Sequence, residues 1–129
     1  MLARYQIKRA AKLSSLPREV QEGIRQDTRK HTRHVLRPTA ELVAEFLKDP
    51  NATGAFQRFA EGYRFTLEQR FKRERGKFDE LSQAAREENV FIGCNCPTTK
   101  NPSLRHCHTW LALEFMRAKY PDLKVRFPK

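Results

Sequence analysis

Apolar positions along the chain recur at two periods, and each predicts a different kind of element. Leu42, Val43, Phe46 and Leu47 recur at helical spacing, which predicts an amphipathic helix. Pro38 and Thr39 punctuate its start, with Thr39 as the N-cap. Asp49-Pro50-Asn51 ends it, because a residue before proline avoids the α region. A longer helix is predicted over about residues 53–75, where Phe56, Phe59, Tyr63, Leu67 and Phe71 step by three or four into one aromatic stripe. That stripe reads as core and the arginines and lysines around it as a solvated face. Gly76 is expected to break this helix, and a shorter one follows with Phe78, Leu81 and Ala85 on its buried side.

Near residue 90 the pattern changes. "NVFIGCNC" is short and rich in β-branched and apolar residues, a strand signal that puts Val90, Ile92, Cys94 and Cys96 on one face. "HTWLALEFMRAKY" then reads as helix, with Leu111, Phe115 and Ala118 on one side and Trp110, Leu113 and Met116 widening the arc. A short strand is predicted around residues 124–127. Strand, helix, strand is a βαβ unit, whose two strands are expected to be parallel neighbours. At the other end of the chain, Tyr5 and Ile7 share a face of a short strand. "SSLPREVQEGIRQDTRKHTRHV" follows, with only a thin stripe of Val20, Ile24 and Thr28 for a helix capped by Ser14 or Ser15 near Pro17. The expected architecture is a small single α/β domain over residues 1–129. Its sheet is short and parallel, with a C-terminal βαβ unit, and several amphipathic helices cover it.

Composition refines this picture in two ways. A chain of 129 residues can bury a core without disulfides, and three cysteines is an odd number. No apolar run approaches the roughly 20 residues needed to span a bilayer, and "MLARYQIKRAAKL" lacks the apolar centre of a signal peptide. The expectation is a cytoplasmic protein with reduced or metal-bound thiols and no membrane partner. The net charge is +11 and uneven. Residues 1–37 carry ten Lys/Arg against three Asp/Glu, and residues 38–129 carry sixteen against twelve. A basic N-terminal segment favours a polyanionic partner, nucleic acid or nucleotide.

Candidate chemistry concentrates in the loop 93–108. All three cysteines, Cys94, Cys96 and Cys107, lie in "FIGCNCPTTKNPSLRHCHTW", with His106 and His108. In open α/β sheets ligands bind beyond the carboxyl ends of strands, near helix N-termini. Asn101 or Ser103 could cap the helix that follows, with Pro102 in its first turn. Lys100 and Arg105, with Thr98 and Thr99 in the same turn, would then hold a nucleotide or nucleic-acid phosphate. Two alternatives use the same residues. Zinc could be held by Cys94, Cys96, Cys107 and His108, although this is not a standard finger spacing. Cys107 could instead be the nucleophile or redox thiol of an enzyme, activated by a helix N-terminus and by His106 or His108 as base. Free cysteine also serves as a small core hydrophobe. His31 and His34, in "RKHTRH", read as part of a solvated basic helix face.

The segments "RPTAEL", "FQRFAEGYRFTL" and "VFIGCNCPTTKNPSLRHCHTWLALEFM" resemble, over about residues 36–116, the bacterial family known as domain of unknown function 488. That family has a strand ending in cysteine, a variable loop and a "C-H-R" helix start. A second group, common in phages, has a similar "C-x-C…C-H" ending. The resemblance implies an α/β fold and a pocket at Cys94 or Cys96, Cys107 and His108. Where the family has the arginine of "C-H-R", this chain has Thr109.

Overall fold

The run Val90–Cys94 builds the centre of the molecule, and all five of its residues are buried. A strand buried on both faces needs a neighbour on each edge and cover above and below. In the computed structural model, which describes residues 1–129, strand β3 (Val90–Cys94) has β1 (Leu2–Gln6) on one side and β2 (Ile24–Asp27) on the other. Both pairings are parallel, with Arg4 opposite Ile92 and Gln26 opposite Ile92 from the other edge. The sheet is extended beyond β1 by a single parallel bridge between Leu2 and Val125. There Leu2 N–H donates to the Lys124 carbonyl and Arg126 N–H donates to the Leu2 carbonyl.

Five helices complete the order: α1 (Arg18–Glu22), α2 (Ala40–Lys48), α3 (Ala55–Arg73), α4 (Arg75–Glu87) and α5 (His108–Lys119). The single large apolar cluster lies between one sheet face and α2–α5, centred on Leu2, Val90, Ile92, Tyr63, Leu67 and Leu113. A small cluster of Ala3, Val20 and Phe91 lies on the other face, under α1. The expected α/β class with a short parallel sheet holds. No helix is long and apolar enough to cross a membrane.

Thr39 caps α2 as expected, its side chain accepting from Leu42 N–H, which satisfies one of the helix's free amide donors. Of the aromatic stripe, Phe59, Tyr63 and Leu67 are buried, and Phe56 and Phe71 pack against the same core. Four details depart from the expectations. The break after α3 falls at Glu74, and Gly76 lies inside α4. The helix predicted after Pro17 is only five residues long, and Ile24 opens strand β2 instead of continuing it. Ala118 is exposed. The strands of the C-terminal βαβ unit are not neighbours, because β1 sits between β3 and the Val125 bridge.

Candidate metal centre at the carboxyl edge

Because the three strands are parallel, their carboxyl ends lie on one edge of the sheet. β3 ends on Cys94, buried at the core face. Cys96 follows in the loop, before a cis peptide bond to Pro97. The loop returns through a short helical turn at Leu104–His106, and Cys107 is the N-cap of α5. The Sγ atoms of Cys94, Cys96 and Cys107 all lie within 4.8 Å of one another, and all three thiols are free.

A thiolate is favoured at Cys107. Its pKa is driven well below the ordinary thiol value, first by the thiols of Cys94 and Cys96 and then by His108, against the opposing effect of burial. The same proton sharing and burial push Cys94 and Cys96 upwards. Thr109 Oγ1, fully buried, lies 3.2 Å from Cys107 Sγ and donates to it. Thr109 Oγ1 in turn accepts from Arg4 Nε at 3.1 Å. Arg4 also donates to the carbonyl of Cys96 at 2.7 Å and makes no ion pair with a carboxylate, so its positive charge is spent on this loop.

His108 is buried beside the thiols and is not one of the converging groups. Its Nε2 lies 2.8 Å from Thr28 Oγ1, whose own hydroxyl donates to the Gly93 carbonyl at 3.0 Å. The hydroxyl has one proton, so in this contact Nε2 is the donor. Tyr63 packs edge-on against the same ring, 5.9 Å between centroids.

A cavity of 330 Å³ opens in front of the cluster and is lined by all three cysteines, His106 and His108. One wall is apolar, with Val43, Phe46, Leu47 and Phe59; Arg29, Lys30 and His31 stand on another side, and no Asp or Glu lines it. His106 is exposed and stacks on Phe56 at 4.3 Å.

The other predicted site residues are spread around this centre. Thr98 lines the cavity and closes a turn by accepting from Asn101 N–H at 3.0 Å. Asn101 does not cap α5; it is buried, and its Nδ2 donates to the His106 carbonyl at 2.8 Å. Ser103 precedes only the short turn and makes no side-chain cap. Thr99 and Lys100 are exposed and outside the cavity lining, and Arg105 lies over the Trp110 ring at 5.4 Å. His31 is exposed, 3.8 Å from Asp27. His34 is not on a helix face. It accepts from Leu36 N–H through Nδ1 and meets Gln26 Oε1 at 2.7 Å through Nε2.

The sequence-based expectations gave Arg4, Thr28 and Thr109 no part in the site. Arg4 did carry a signal: it is a charged residue that follows the fully buried Leu2 on the same face of β1, in a period of two. A charge on a core-facing side rarely sits there without a purpose-built partner. No family model, curated protein or solved structure matches this chain.

Proposed function

We propose that this protein is a metal-binding α/β protein that holds a thiophilic ion, zinc being the best fit, on Cys94, Cys96 and Cys107. The supporting observation is the convergence of the three sulfurs. Sulfurs bound to zinc at about 2.3 Å stand about 3.8 Å apart in a tetrahedron, a closure well within reach of thiols already inside 4.8 Å. The charge also balances. A divalent ion with three thiolates carries one net negative charge, and Arg4 supplies one positive charge through Thr109 and the Cys96 carbonyl. Buried charge of this kind needs such a partner. Three protein ligands leave one position of a tetrahedral ion for an outside ligand, which is the pattern of catalytic rather than structural zinc, and all three cysteines line the cavity. A bound ion would supply Lewis-acid chemistry there. The chain's own part is to hold the thiolates, to fix His108 through Thr28, and to leave His106 at the mouth for proton transfer.

The contact of Thr109 Oγ1 with Cys107 Sγ favours a second reading, in which Cys107 is a nucleophile and no metal is needed. Metal analysis of untagged protein purified without chelator separates the two. The metal reading predicts one zinc-class ion per chain, lost on Cys94→Ser, Cys96→Ser or Cys107→Ser and kept on His108→Ala. Folded, metal-free protein with a rapidly alkylated Cys107 would support the thiol reading instead.

A further inference from the structure

The parallel sheet does more than place the thiols. It sends three loops off the same edge: residues 7–17 after β1, 28–39 after β2 and 95–107 after β3. Together these loops contain nine Lys/Arg, namely Lys8, Arg9 and Lys12, then Arg29, Lys30, Arg33 and Arg37, then Lys100 and Arg105. They contain none of the chain's fifteen Asp/Glu. Seven of the nine are exposed, the exceptions being Arg29 and Arg37. None of the seven is in an ion pair, whereas Arg29 is paired with Asp27. At the opposite edge, Glu87 and Glu88 lead into β3 and Glu22 leads into β2. The net charge of +11 is therefore polarised by topology onto the edge that holds the thiol cavity.

We infer that this edge binds a single-stranded nucleic acid, its phosphates running from Lys8, Arg9 and Lys12 across the cavity mouth to Lys30, Arg33, Lys100 and Arg105. Three points select this ligand. The cations belong to loops on three strands set about 4.8 Å apart, so with side-chain reach they span several phosphates, more than one nucleotide offers. Beside β1 they border a groove of 810 Å³ lined by Arg4, Lys8, Lys12, Ser14 and Tyr5, whose one carboxylate, Glu19, is already paired with Arg126. Flat groups stand among the charges: Tyr5, His106 stacked on Phe56, and Trp110 beneath Arg105. Cations interleaved with such platforms suit a strand with accessible bases. An acidic polypeptide would use the charges and not the platforms. The inference concerns the exposed loops and stands apart from the metal reading.

Fluorescence anisotropy with labelled mixed-sequence DNA and RNA strands tests it. Affinity is expected to fall by about tenfold or more between ~50 and ~200 mM salt, linearly in log–log form. Two double variants, Lys8→Glu with Lys12→Glu and Lys30→Glu with Arg33→Glu, are each expected to weaken binding by about tenfold or more, since each reverses two phosphate contacts. Arg86→Glu with Lys124→Glu makes the same charge change on exposed residues at the opposite edge of the sheet, where α4 ends and Leu2 N–H meets the Lys124 carbonyl, and is expected to leave binding within about twofold. Circular dichroism and metal content, expected unchanged in all three, keep a folding defect or a failed metal reading distinct from a failed inference. Absence of binding at low salt, equal loss in the opposite-edge control, or equally tight binding of polyglutamate would each overturn it.

Discussion

His34 shows how far one side chain can depart from its solvated behaviour. Its ring is largely desolvated and lies near His108 and Arg37, with only Asp27 opposing, and its pKa is lowered to about 4. The structural reason is visible: Leu36 N–H donates to Nδ1, so the native state needs the neutral ring. A group with a depressed native pKa contributes stability that is complete above its unfolded value, near 6.5, and is lost as pH falls towards the native one. The expected loss between those limits is on the order of 3 kcal/mol. Urea unfolding at pH 7 and pH 4.5 checks it against His34→Gln, which should flatten that part of the pH dependence. An unchanged slope in the variant would remove His34 as the cause. At this scale the three cysteines were legible because they are rare and crowded in sequence. Arg4, Thr28 and Thr109 join them through tertiary contacts that span as many as 105 residues for Arg4 and Thr109, which no local pattern encodes.

At the scale of elements, β3 is held to its place by Gly93. A Cβ there would come within 2.7 Å of both Ile7 Cδ1 and Tyr5 Cε1, while its carbonyl takes both the amide and the hydroxyl of Thr28. Gly93→Ala is therefore expected to cost about 1–3 kcal/mol through overpacking, measured by chemical unfolding, and a neutral result would mean the β1–β3 edge can open freely. The helices with strong 3.6 periodicity, α2 to α5, were legible to within a few residues. β2 was not, since Ile24–Asp27 is four residues long and mostly polar. The segment after it was misread for a different reason. Thr32 Oγ1 donates to the Arg29 carbonyl, and His34 N–H donates to Thr32 Oγ1. Such side-chain-to-backbone bonds give the chain an alternative to helix, and they fold 28–39 into the turns that wall the cavity. The cap of α5 was placed too early, at Asn101 or Ser103, because Asn101-Pro102 mimics a helix entry; Asn101 serves instead in the turn that brings Cys96 back towards Cys107.

For the whole molecule, the class of fold followed from the order of periodic segments, but the neighbour relations did not. Local sequence cannot tell that β1 inserts between β3 and the Val125 bridge, because strand order is decided by which edge the common core covers. The parallel direction of all three strands brings the loops after β1, β2 and β3 to a single edge, and with them three thiols and nine loop cations, with Arg4 of β1 reaching the thiol loop without a carboxylate partner. The central claim is that the three thiols hold one ion. X-ray absorption at the zinc edge on natively purified protein tests it most directly. The expected result is three sulfur scatterers at about 2.3 Å with one lighter atom at about 2.0 Å. A shell of light atoms alone, or folded protein with no bound ion and three freely titratable thiols, would contradict it.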